Sequence, residues 1–224
     1  MTGCLYCIDN DIIQKLATFS LFDQTLALFE AGYADVNILA SARYKFQADR
    51  RRAKREKVLQ PKDLPINYER VIELTKALPQ ISEAALNIDL INQLIAFRDI
   101  DRGEAALTAH IVQMLREDNT QEVFILTGDK RYLRALAQVN LPGIQNLLHR
   151  RFWCLEQLVL RNICGYGFEA VRDKVVPVRE CDTACKAIFG SGLRSTEANA
   201  VMVANSYIKA LREETGSLLH PYSA

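Results

Sequence analysis

Two short apolar runs, Leu5-Tyr6-Cys7-Ile8 and Val123-Phe124-Ile125-Leu126-Thr127, each give way within a few residues to a helix-forming segment. Uninterrupted apolar stretches of this length read as buried strands, and a buried strand followed at once by a helix opens a βαβ unit. The rhythm recurs. Asp35-Val36-Asn37-Ile38-Leu39-Ala40 and Arg151-Phe152-Trp153-Cys154-Leu155 are further strand candidates, each with a helical pattern after it. Strands alternating with helices predict an α/β chain with a three-layer, Rossmann-like fold around a central parallel sheet.

The helices are legible from apolar spacing. Ile12, Ile13, Leu16 and Phe19 share a face behind Asn10 or Asp11 as N-cap, and a second piece covers about Leu21 to Ala31, stopping at Gly32. Pro61 and Pro65 break the helix that follows the second strand. Asn67 to Phe97 reads as helical, interrupted at Pro79, with Leu86, Ile88, Leu90, Ile91, Leu94 and Ile95 as a broad apolar face. A further helix carries Leu107, Ile111, Met114 and Leu115, and another, ending near Asn140-Leu141-Pro142-Gly143, carries Tyr132, Leu133 and Leu136. The expected organisation is a body over 1–160, with a basic helical arm at 43–57 and a helical insert at 66–97. A C-terminal helical extension follows over 161–224, with Val201, Ala204, Ile208 and Leu211 on one face.

Composition narrows the function classes. No apolar run approaches the roughly 20 residues of a membrane-spanning helix, and the opening residues are no basic, apolar leader, so a cytoplasmic location without membrane contact is expected. The pairs Cys4/Cys7 and Cys181/Cys185 lack histidine neighbours, and buried thiols are the simpler reading than a zinc site. The total charge of +1 hides an uneven distribution. Arg43, Lys45, Arg50, Arg51, Arg52, Lys54, Arg55 and Lys57 stand against only Asp49 and Glu56, a local net of +6. Such a helix suits phosphate groups, with a solvated arm or an acidic partner as the plainer alternatives. Lys130, Arg131 and Arg134 add basic charge near Asp129.

Acids punctuate the strand ends. Asp9 closes the first apolar run, Asp129 follows the 123–127 run across Gly128, and Glu104 opens a helix. Each has an ordinary reading as a helix cap: Asp101-Arg102-Gly103-Glu104 fits a capping box, and Asp11, Thr127 or Asp129 fit N-caps. The conjunction points further. If both strands lie parallel in one sheet, Asp9 and Asp129 emerge at its carboxyl edge, where open α/β sheets bind ligands. Carboxylates gathered there repel one another unless a cation holds them, and hard oxygen ligands suit Mg²⁺ or Mn²⁺.

In this arrangement the chain resembles the PIN-domain nucleases, in their prokaryotic branch. The resemblance rests on Tyr6-Cys7-Ile8-Asp9-Asn10-Asp11, Asp101-Arg102-Gly103-Glu104-Ala105-Ala106 and Leu126-Thr127-Gly128-Asp129-Lys130-Arg131, closed by Phe152-Trp153-Cys154-Leu155-Glu156-Gln157-Leu158. It implies a PIN-like fold and a metal-dependent nuclease, acting on RNA in preference to DNA. Asp9, Glu104 and Asp129 would then be the catalytic acids, with Asp11 and Asp101 as further metal ligands or supports. It also implies roles such as toxin–antitoxin or RNA-processing factors. The resemblance covers residues 1 to about 160, and the 161–224 extension beyond it is expected to dock a protein partner or a second copy. The chain departs from the family pattern in having no acid after the second strand until Asp49, and in carrying Lys130 where another acid is frequent. A non-catalytic nucleic-acid-binding or assembly module is therefore the rival expectation. No glycine-rich phosphate loop follows the first strand, which counts against a nucleotide-binding relative.

Overall fold

A computed structural model of the chain describes residues 4–55, 66–141 and 143–223. Glu56 and Lys57 of the basic arm, and the helix-breaking Pro61, Pro65 and Pro142, lie outside these described residues.

The chain opens with β1 (Leu5–Ile8), α1 (Asn10–Thr18) and α2 (Phe22–Leu28), then β2 (Val36–Leu39) and the basic helix α3 (Ala42–Arg55). Next come α4 (Tyr68–Ala77), β3 (Gln80–Ile81), α5 (Ile88–Ile95) and α6 (Arg102–Glu117). The body continues with β4 (Val123–Thr127), α7 (Lys130–Ala137), α8 (Ile144–Leu147), β5 (Phe152–Cys154) and α9 (Leu155–Tyr166). Last are α10 (Phe168–Val175), α11 (Thr183–Ile188) and α12 (Glu197–Thr215).

One five-stranded sheet organises these elements, in the order β3-β2-β1-β4-β5, with every pairing parallel. The architecture is α/β and consistent with a Rossmann-like three-layer arrangement. The chain starts at the centre, walks outward through β2 to β3, then returns to the other side of β1 for β4 and β5. Strand order therefore reverses between β1 and β4, which makes their carboxyl ends the topological switch point of the sheet.

The strand β3 corrects the expected helical insert. Pro79 does more than interrupt a helix there: its carbonyl accepts from Ile38 N (3.1 Å), and Ile81 O accepts from Ala40 N (3.1 Å), so the chain pairs with β2. The segment is part of a β-α-β crossover. On α5 only Leu90, Ile91 and Leu94 are buried, while Ile88 and Ile95 face outward.

The stretch read as a helical appendage shares the core of the body. Val171, Cys185, Phe189, Ala200, Ala204, Ile208 and Leu211 belong to the same buried cluster as Cys7 and Ile125. The chain then runs along the outer edge of β5. Phe152 N donates to Leu218 O (3.1 Å), His220 N donates to Phe152 O (2.7 Å), and the His220 ring stacks on Trp153 at 4.2 Å. Gln157 Nε2 and Arg212 both hold the carbonyls of His220 and Tyr222.

This edge carries a pH dependence. Burial, with the charges of Arg161, Arg212 and Arg150, depresses the His220 imidazole to about 4, so the folded state favours the neutral ring. A depressed histidine contributes its full stability above the ordinary pKa near 6.5 and loses it as pH falls toward 4. The melting temperature should therefore decline between pH 6.5 and 4 more steeply in the native chain than in His220→Phe. Equal slopes in a thermal melt series would refute this.

Candidate active site

Residues brought to the switch point come from three places. Asp9 follows β1, and its backbone N–H still donates to Leu126 O (3.0 Å), so the two central strands reach this edge in register. Asp129 leaves β4 two residues later, after the Gly128 turn. Glu104 enters from above: α6 begins over the end of β2, where a Cβ added to Gly103 would stand 3.6 Å from Leu39 Cδ1. The charges of Asp101, Asp9 and Asp129 all bear on Glu104, and those of Asp11 and Asp101 bear on Asp9. The charges of the five acids singled out in the sequence thus act on one another around this edge.

Their individual engagements differ. Asp9 occupies the N-cap position of α1, in place of the expected Asn10 or Asp11, yet its side chain makes no capping bond to the helix. Its Oδ2 instead accepts from Thr127 Oγ1 at 3.3 Å, and that same hydroxyl accepts from Asp129 N at 3.2 Å. Thr127, fully buried, is therefore a hinge between the two aspartates. Asp129 caps α7, its Oδ1 accepting from Arg131 N (2.7 Å) and Tyr132 N (3.2 Å). Asp101 and Glu104 form the reciprocal capping box, both bonds at 2.8 Å. Asp11 is drawn sideways into an ion pair with Lys15 at 2.6 Å, and Lys15 also reaches Asp182 at 2.7 Å. A Cβ on Gly128 would overlap the Asp11 carboxylate, so glycine there lets the β4–α7 turn close against α1.

Electrostatics set two of the acids apart. Burial, reinforced by Asp11 and Asp101, pushes Asp9 up to about 7 against the pull of the Asn10 amide and Lys45. Burial also pushes Glu104 up to about 8, with Asp101, Asp9 and Asp129 adding to it against the Asp101 backbone bond. Near neutral pH such a pair holds either a proton or an external cation. Among the described residues no three His, Cys, Asp or Glu side chains are placed so that they could hold a metal ion together. The donor set nevertheless fits a hard divalent ion. It offers carboxylate oxygens without histidine or thiolate, and Asp9 and Glu104 have little cationic compensation among the described residues.

Basic candidates divide into three groups. Arg43, Lys45, Arg51, Lys54 and Arg55 are exposed on α3, and Lys45 lies close enough to the acids to act on Asp9. Arg50 is paired with Glu69 on α4, and Arg52 stands near Tyr68. Arg131 is largely exposed beside Asp129. Lys130 corrects the expectation of a phosphate contact: its ammonium is turned inward, 2.5 Å from Glu156 and 5.1 Å above the Tyr207 ring. The sequence did not show Lys15, Asp182 or Glu156 as partners, because the pairings with Asp182 and Glu156 join distant parts of the chain.

Compared with known protein families, curated proteins and solved structures, the chain has no significant match in any of the three.

Proposed function

We propose that the chain is a divalent-metal-dependent nuclease with a PIN-like body, hydrolysing phosphodiester bonds in RNA in preference to DNA. The observation that carries the reading is positional. Asp9 and Asp129 leave the carboxyl ends of β1 and β4, the two strands that flank the switch in strand order, and the charges of both act on Glu104. That crevice is where open α/β sheets take their ligands. The preference for RNA and a toxin–antitoxin or processing role rest on the family resemblance alone, while a cytoplasmic setting and a partner docking on 161–224 are carried over from the sequence reading.

The residues divide the work. Asp9, Glu104 and Asp129 supply the carboxylate oxygens, with Asp11 and Asp101 as flanking charge. Mg²⁺ or Mn²⁺ held there would activate a water and offset charge on the departing oxygen. Thr127 fixes the distance between Asp9 and Asp129 through its single hydroxyl. Arg131 and Lys45 stand on the rim, where a phosphodiester approaching the acids needs cationic compensation.

A second reading keeps the fold and the basic helix but no catalysis, as a nucleic-acid-binding or assembly module. One observation favours it: Asp101, Glu104 and Asp129 already satisfy backbone amides, and Asp11 already pairs with Lys15. Labelled single-stranded RNA and DNA, incubated with Mn²⁺ or with chelator, separate the two. Cleavage of RNA that chelator abolishes supports the nuclease; salt-sensitive binding without cleavage supports the module.

Thr127→Val tests the hinge. Losing an outer hydrogen-bond partner of a metal ligand costs about 10–100-fold in metal affinity. Mn²⁺ affinity measured by calorimetry should fall in that range while the thermal melt shows a folded protein. An unchanged affinity would remove Thr127 from the site.

A further inference from the structure

The helix α3 carries one side chain that neither the core nor the charge pattern explains. Tyr44 is 72% exposed, whereas its near neighbours Ala42 and Phe46 are fully buried and anchor the helix to the body. Among the described residues its side chain makes no ring contact and no hydrogen bond. Positions 44, 48, 51 and 55 fall at i, i+4, i+7 and i+11, which places Tyr44, Ala48, Arg51 and Arg55 in one row along the outward face. A surface depression is lined by Ala48, Arg51, Arg52 and Arg55, and a neighbouring one by Arg51, Lys54, Lys76 and the apolar side of Ile72.

We propose that this row is a binding surface for single-stranded nucleic acid, with a base stacked on Tyr44 and successive phosphates on Arg51 and Arg55. The inference rests on the nucleic-acid reading of the site above and adds to it the strandedness of the ligand. An exposed aromatic face is useful only to an unstacked base, since a duplex hides its base faces. Guanidinium forks match phosphate oxygens in pairs, and all the side chains lining the first depression apart from Ala48 are arginines. From Tyr44 to Arg55 the row covers about 16 Å of helix, room for a few nucleotides. Its inner end is the Tyr44 end, because α3 starts directly after the carboxyl end of β2, which runs parallel to β1. A strand lying along the row is thereby led toward the carboxyl edge of the sheet. An anionic membrane fits less well: beside Tyr44 the row presents only Ala48 and arginines, with no long aliphatic side chain to bury.

The test is fluorescence anisotropy in chelator, with a short labelled oligouridylate, a labelled RNA hairpin closed by a tight loop of stacked bases, an acidic peptide and phosphatidylserine vesicles as probes. Tyr44→Ala should weaken oligouridylate binding roughly tenfold, with Tyr44→Phe retaining it within about twofold and hairpin affinity unmoved. Arg51→Ala and Arg55→Ala should each reduce the slope of log affinity against log salt by about 0.7. Wild-type affinity in Tyr44→Ala, equal Tyr44 dependence for the hairpin, or binding confined to the peptide or vesicles overturns the proposal. Because no metal is present, its fate is separate from catalysis. Tyr44-dependent binding by a chain that never cleaves would sink only the nuclease reading. Metal-dependent cleavage with normal binding by Tyr44→Ala would sink only this one.

Discussion

Asp9→Asn is expected to abolish Mn²⁺-dependent RNA cleavage, with kcat/KM falling by at least about a hundredfold while the fold is retained. The substitution is nearly isosteric and leaves an acceptor for Thr127 Oγ1, so the β1–β4 edge keeps its shape. What disappears is the negative charge, which burial beside Asp11 and Asp101 makes costly in the absence of a cation. Two opposite shifts follow. Without metal, the Asp9→Asn variant should melt at or above the wild-type temperature, because an ill-compensated charge has been removed. The increase in melting temperature that Mn²⁺ gives the wild type, by binding only the folded state, should be lost. Glu104→Gln should follow the same pattern, since burial and its acidic neighbours act on it in the same sense. Retained cleavage, or an undiminished Mn²⁺ shift in Asp9→Asn, would end the metal-site reading; a simple structural cap would give neither shift.

How much of this was legible beforehand depends on the range of the interactions involved. The runs ending at Ile8 and Thr127 were readable as strands because continuous burial leaves a continuous apolar signature. The capping box at Asp101 and Glu104 was readable because both partners lie within one helical turn. β3 was not. Two residues, Gln80 and Ile81, are too few to show any period, and only pairing to the Ile38 and Ala40 backbone makes them a strand. The role of Lys15 was hidden for a related reason: the spacing shows Asp11 four residues away, but Asp182 is supplied by the fold. The convergence of the acids was legible only in outline. Strand ends placed Asp9 and Asp129 on one edge if the strands were parallel neighbours, and the register Ile8 with Leu126 is what makes them so. Thr127 was readable as a turn hydroxyl, while its bond to Asp9 needed both strands in place.

Lys130→Ala is expected to cost about 3–5 kcal/mol of stability, the loss typical of leaving one partner of a buried ion pair alone. Glu156 is 1% exposed, and its carboxylate meets the Lys130 ammonium at 2.5 Å. Beyond that cation, the weakly donating Cys154 thiol contacts it, and its charge also bears on the buried Cys185. Burial alone would lower the lysine, yet the charge and contact of Glu156 leave it raised. Removing the ammonium leaves the buried Glu156 carboxyl group without its ion-pair partner. Neutralising the partner as well relieves that cost: Lys130→Ala with Glu156→Gln should recover much of the loss, a coupling visible in a double-mutant cycle from denaturant unfolding. Additive losses would show that the pair is not the source. The position also ties stability to the site, because Lys130 is the first residue of α7 and Asp129 is its cap. The bond to Glu156 at the start of α9 holds that helix end against the body, and with it the direction of the Asp129 carboxylate. On the proposed metal site, Lys130→Ala should therefore weaken Mn²⁺ binding as well as folding, because it acts on Asp129 through the end of α7. Glu156→Gln alone, which keeps a neutral partner for the ammonium, should weaken it less.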